Sequence, residues 1–146
     1  MTNKLGEYLL DQGYKKIKLH FTRTNHFRIG AKINGIKGRF IVDTGASNSC
    51  IGFDEAEQFK LISKDSDILA AGAGSTDMET KVSEDNTVRI GNWKKDKVVL
   101  VLFNLSHVNT ALVNHESEPV DGIIGADILK KGRAVIDYGK NYLYLK

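Results

Sequence analysis

Apolar and polar residues alternate with a period of two along much of this chain, the spacing of a half-buried β-strand. Ile17, Leu19 and Phe21 alternate with Lys and His, and Phe27, Ile29, Ala31 and Ile33 repeat the pattern. Asn34-Gly35 follows, and because both residues tolerate positive φ this pair predicts a two-residue hairpin. The return strand carries Ile36, Gly38, Phe40 and Val42 on one side and ends at Asp43. Further strands are predicted at TVRIG (87–91), VVLVLF (98–103), RAVIDY (133–138) and NYLYLK (141–146).

Helical spacing is confined to short stretches. Asn3 to Gln12 places Leu5, Tyr8 and Leu9 on one face, with Gly13 suited to the residue after the helix. Phe53 to Leu61 predicts a brief helix, with Asp54 and Glu55 at its positive end. GADILKKG (125–132) predicts another, stopped by its second glycine. Segment 104–119 is polar and mixed and is expected to be a long loop. The glycine-rich run from Ile68 to Thr80, flanked by strand-like segments, reads as a mobile hairpin. No repeat, linker or low-complexity tract divides the chain. The expectation is one mostly-β domain over 1–146, with an N-terminal helical extension at about 1–14 and short helices elsewhere.

Composition narrows the function classes. A net charge of +3, spread in short basic clusters near Lys94–Lys97 and Lys130–Arg133, describes a solvated surface better than a nucleic-acid interface. The single cysteine, Cys50, excludes an intrachain disulfide and sits in an apolar context, as a small buried hydrophobe does. The longest apolar run, Val98–Phe103, is far short of the roughly 20 residues of a membrane span, and the N-terminal segment lacks the apolar stretch of a signal peptide. A soluble, cytoplasmic chain is predicted, without membrane or nucleic-acid partner.

Several chemistries lack their sequence signals. Gly72 and Gly74 have no third glycine and no helix behind them, and GxxxxGK[ST] is absent, so a nucleotide loop is disfavoured. There is no G-x-S-x-G elbow for a hydrolase serine. His20, His26, His107 and His115 show no tight ligand spacing. No metal and no cofactor are expected.

RFIVDTGASNSC (39–50) stands apart. A β-branched strand runs directly into Asp-Thr-Gly-Ala-Ser. Taken alone, this is also how an ordinary strand exits into a turn, since Asp and Gly are common turn residues. Three features shift the balance. Phe40-Ile41-Val42 brings the carboxylate out of the core rather than out of a surface hairpin. VDGIIGADIL (120–129) places two apolar residues before a glycine and a short helix. The glycine-rich hairpin lies between the two.

In that order, FIVDTGAS (40–47), AAGAGS (70–75) and GIIGADIL (122–129) resemble the retropepsin-like aspartic proteases, the single-domain relatives of pepsin found in retroviruses and many bacteria. The resemblance runs from about Phe27 to Tyr144 and implies a closed β-barrel, a flap and a dimer. It implies Asp43 as the catalytic carboxylate, with Thr44 locking two loops together across a two-fold axis. Gly45 allows close backbone approach, Ala46 suits a crowded loop, and Ser47 either bonds the loop or is a plain turn residue. Ile123, Ile124 and Gly125 would support the loop from beneath. Ala71, Gly72, Ala73, Gly74 and Ser75 would form the flap over an extended peptide. The helix at 3–12 and the loop at 104–119 fall outside the family's pattern.

This route to peptide hydrolysis needs two carboxylates facing one water. The chain has one Asp-Thr-Gly, and Asp127 lies in a helix-forming segment at what the resemblance marks as a structural position. Asp43 from each of two identical chains is the simplest solution. Two like charges ~4 Å apart repel by about 4 kcal/mol at an effective dielectric near 20, so such a pair shares one proton over a broad pH range. The rival expectation is the same fold kept as a catalytically silent peptide-binding or dimerisation module.

Overall fold

The computed structural model describes residues 3–65 and 79–146. Asn34 and Gly35 take φ values of 51° and 84° and turn β3 (Phe27–Ile33) back into β4 (Ile36–Val42), with Ile33 opposite Ile36. Asn34 does more than turn. Its side chain donates to the Phe59 carbonyl and to Asn86 Oδ1, both at 2.9 Å, and accepts the Thr87 N–H at 2.9 Å. These bonds tie the hairpin tip to β7 (Lys81–Ile90), where Lys32 and Ile33 pair with Arg89 and Val88.

That pairing closes a barrel. β4 runs parallel to β9 (Gly122–Ile124), β9 pairs with β5 (Cys50–Gly52), and β5 runs parallel to β8 (Trp93–Phe103). β8 pairs with β7 and β7 returns to β3, so six strands form a ring without a free edge. β2 (His20–Phe21) extends the sheet beyond β3, and β6 (Ser63–Asp65) extends it beyond β7. A second sheet, in the order β1 (Lys15–Lys18), β11 (Tyr142–Leu145), β10 (Val135–Asp137), closes one side with Ile17, Leu143 and Leu145. Between Ser83 and Val88 the ladder is irregular, and Asn86 there is buried with its amide donating to the Ser83 and Val98 carbonyls.

Alternation along the ring gives two apolar clusters. The first fills the barrel and includes Ile29, Ile33, Phe40, Phe59, Leu100 and Ile124. Phe40 and Phe59 have no exposed surface, and their rings lie 6.1 Å apart. Burying each such side chain contributes about 1.5–3 kcal/mol. The second, on the opposite face of the same strands, holds Ile41, Cys50, Val101, Phe103 and Ile123.

The helices partly follow the sequence pattern. α1 (Lys4–Asp11) forms where Asn3 Oδ1 accepts the Gly6 N–H, and it buries Leu9. α3 (Ala126–Lys131) follows Gly125 and ends at Gly132. Two expectations require correction. The helix expected over 53–61 is only a 3₁₀ turn at Phe53–Glu55 followed by irregular turns, because Phe59 is drawn into the core and Lys60 takes a φ of 57°. The long loop expected at 104–119 contains α2 (Ser106–Asn114). Asn104 Oδ1 accepts the Ser106 N–H, and Asn109 exchanges two hydrogen bonds with the Val120 backbone, which pins α2 over the second cluster. Among the described residues no helix is long and apolar enough to cross a membrane.

Candidate active site

Asp43 stands immediately after β4, half-buried. Its N–H donates to the Ile124 carbonyl at 2.9 Å, a bond that continues the parallel β4–β9 ladder by one residue. The Gly45 N–H donates to Asp43 Oδ1 at 2.9 Å, and the Ala46 N–H donates to the Asp43 carbonyl at 3.2 Å. The chain thus folds back on itself so that the Gly45 backbone N–H aims the carboxylate. Thr44, Gly45 and Ser47 are exposed, whereas Ala46 is buried beneath them.

Ile123, Ile124 and Gly125 lie under this loop. Ile124 points into the barrel and Ile123 into the second cluster. The Ala126 N–H donates to the Ala46 carbonyl at 2.7 Å. Gly125 cannot be larger, since a Cβ there would sit 2.6 Å from that same carbonyl oxygen. Its N–H donates to Ser49 Oγ at 2.8 Å.

Ser49 was not singled out by the sequence reading, yet it organises the far end of the loop. It has no exposed surface. Its hydroxyl donates to Asp127 Oδ1 at 2.6 Å, and its N–H reaches the same carboxylate at 3.0 and 3.1 Å. The Ile128 N–H also donates to Asp127 Oδ1, at 2.8 Å. Asp127 therefore holds Ser49 in place. Only a contact between residues 78 apart reveals this pair, and no local sequence signal announces it.

Asp43 also lines a cavity of about 610 Å³. Its floor is apolar, formed by Ile41, Ala46, Cys50, Val101, Phe103 and Ile123. α2 supplies one wall through Val108, Ala111 and Leu112, continued by His115 at its end, and the turn from Arg23 to His26 supplies the rim. Burial pushes the Cys50 thiol up to about 12, and the Asp127 and Asp43 carboxylates add to the rise against a backbone hydrogen bond involving Ile123. The thiol is neutral at physiological pH and behaves as part of the apolar floor. The expected flap residues Ala71, Gly72, Ala73, Gly74 and Ser75 lie outside the described residues.

Comparisons with known proteins bear on the family and the fold. Residues 29–128 match the family model described as aspartyl protease. No curated protein sequence matches the chain. Among solved structures, the chain is similar to a retropepsin-like aspartic protease from Rickettsia conorii, with a TM-score of 0.57 and 20% identity over 90% of each chain. It is also similar to the retroviral protease-like domain of Ddi1 from Leishmania major, with a TM-score of 0.57 and 19% identity over 89% of each chain. The EIAV protease, in complex with the inhibitor HBY-793, gives a TM-score of 0.51 and 19% identity over 70% of this chain and 84% of that one. Together with the closed six-stranded barrel, the family match over most of the chain establishes that this protein belongs to the aspartyl protease family, with a retropepsin-like fold.

Proposed function

We propose that the protein is an aspartic endopeptidase that works as a homodimer, one Asp43 from each chain facing a shared water. The observation that carries this reading is the setting of Asp43. It is oriented by the Gly45 N–H, anchored to Ile124, and placed at the wall of an apolar cavity beside an exposed Thr44-Gly45 turn.

In this reading one carboxylate is ionised and its mate carries the shared proton. The ionised group takes a proton from the water as the water oxygen bonds to the peptide carbonyl carbon. The mate gives its proton to the carbonyl oxygen. Collapse of the tetrahedral intermediate breaks the C–N bond: the proton taken from water leaves on the amine, and one hydroxyl of the intermediate returns its proton to the mate as it becomes the product carbonyl. Thr44 holds the two loops together across the axis, and Ser47 stands beside them at the surface. Ile123, Ile124 and Gly125 keep each loop in place. The enzyme acts on peptide or protein substrates, and the cytoplasm is its proposed compartment, in keeping with a cysteine that stays free.

Asp43→Asn keeps the shape of the loop but removes the acid–base pair. Hydrolysis of a peptide library across acidic to neutral pH is expected in the parent protein and absent in the variant. Binding of those peptides by the parent without any turnover would instead identify a silent recognition module, and full turnover by Asp43→Asn would remove Asp43 from the chemistry.

A further inference from the structure

The cavity beside Asp43 has a wall that the resemblance to the family did not supply. α2 occupies a segment that reads as loop in the sequence, and three of its residues, with His115 just after it, face the cavity. Leu112 is buried and anchors the helix, whereas Val108 is half-buried and Ala111 is exposed. Val108 and Ala111 are three residues apart, so they present one helical face to the same space. Neither is needed to fill the barrel, and their side chains are free to set the cavity's width.

Size and polarity define what enters. An apolar cavity of roughly 150 Å³ already holds a benzene ring. At about 610 Å³ this one takes a bulky side chain together with part of the backbone that carries it. The floor residues carry no charge, and the polar groups of the lining, among them Asp43, Asn48, His26 and His115, stand around it. Arg23 at the rim is already paired with Glu116, and Cys50 is neutral. A charged side chain seated on that apolar floor would lose its hydration against neighbours that cannot replace it.

We infer that α2 is the specificity wall of the active site, with Val108 and Ala111 setting the size of the substrate side chain beside the scissile bond. As built, the wall admits a bulky apolar residue and rejects a charged one. The inference rests on the reading of Asp43 as catalytic and adds to it the element that chooses the substrate.

The test is a matched peptide series carrying Phe, Leu, Ala or Lys beside the cleaved bond, assayed as full-length protein with parent, Ala111→Phe and Val108→Ala. The parent is expected to favour Phe and Leu over Ala and Lys by about tenfold or more in kcat/KM. Ala111→Phe fills the cavity from its exposed edge and should reduce that preference by about tenfold. Val108→Ala should shift it towards the largest residue, and thermal melts check that both variants fold. Asp43-dependent cleavage with an unchanged preference in both variants would overturn the role of α2 and leave the protease reading standing. Should no peptide be cleaved, binding of the Phe peptide decides. Its loss in Ala111→Phe would keep α2 as a recognition wall while the protease reading fails, and its retention would overturn both.

Discussion

The two apolar clusters occupy opposite faces of the same strands, yet they are packed to different standards. Inside the barrel, Phe40, Ile33, Phe59 and Leu143 have no exposed surface, and a ring of six strands encloses them. On the other face, Ala46 and Ile123 keep 9% and 8% of their surface exposed, and a cavity of about 610 Å³ lies between the strands and α2. Asp43 belongs to the second region, although its strand is anchored by the first. A chain able to fill one face so completely leaves the other open where its single Asp-Thr-Gly emerges. Incomplete packing beside a carboxylate is where a functional site is expected.

Substitutions should separate the two regions. Phe40→Ala opens a hole in the closed core and should cost about 4 kcal/mol in urea unfolding. A cost below about 1 kcal/mol would mean that the barrel is not close-packed. Leu112→Ala borders existing empty space. It should cost about 2 kcal/mol, the low end for such truncations. Ser49→Ala removes the hydroxyl that links Asp127 to the Gly125 N–H and should cost about 1.5 kcal/mol. Activity should fall further than this stability loss explains, and Ser49→Thr, which keeps the hydroxyl, should restore much of it.

Cys50 gives a smaller, pH-dependent signal. Its folded pKa is raised from 9.0 to about 12, so the stabilisation is complete below pH 9 and is lost as pH climbs towards 12. By pH 10 the protein should have lost about 1.4 kcal/mol relative to Cys50→Ala, as measured by chemical denaturation at each pH. The native thiol should also resist alkylation at pH 8. Rapid labelling would show that the cavity floor is wetter than its lining implies. The smallest effect belongs to Glu55. Burial, then Asp121 and Asp54, raise its pKa, so its ionised form is disfavoured in the fold. Any stabilisation from its protonated form is lost as pH rises through the folded pKa. Glu55→Gln should therefore raise the thermal midpoint slightly at neutral pH and have no such effect in acid.

The same contrast explains what the sequence revealed. The hairpin at Asn34-Gly35, the strand ending at Asp43 and the helix after Gly125 were legible because each depends on neighbours in the chain. Period-two alternation located the barrel strands, although β7 and β8 extend well beyond the expected segments. Their extra length includes the polar run from Lys94 to Lys97 and the irregular pairing at Asn86, neither of which alternates cleanly. α2 escaped detection because its apolar contacts are few. Val108 and Leu112 face the sheet, while Thr110 and Val113 weaken the helix locally. The packing over the second cluster and the two bonds from Asn109 to Val120 supply what local propensity does not. Ser49 and Asp127 were invisible as a pair for a related reason. Their partnership exists only once β5 and α3 have been brought together.

Mixing the parent with Asp43→Asn at constant total chain concentration, after subunit exchange, tests the central claim most directly. If two Asp43 carboxylates are required, peptide cleavage should follow the square of the parent fraction, so an equal mixture retains about a quarter of the activity. A linear decline, with half the activity left at equal mixture, would show that each chain works alone and would contradict the shared active site.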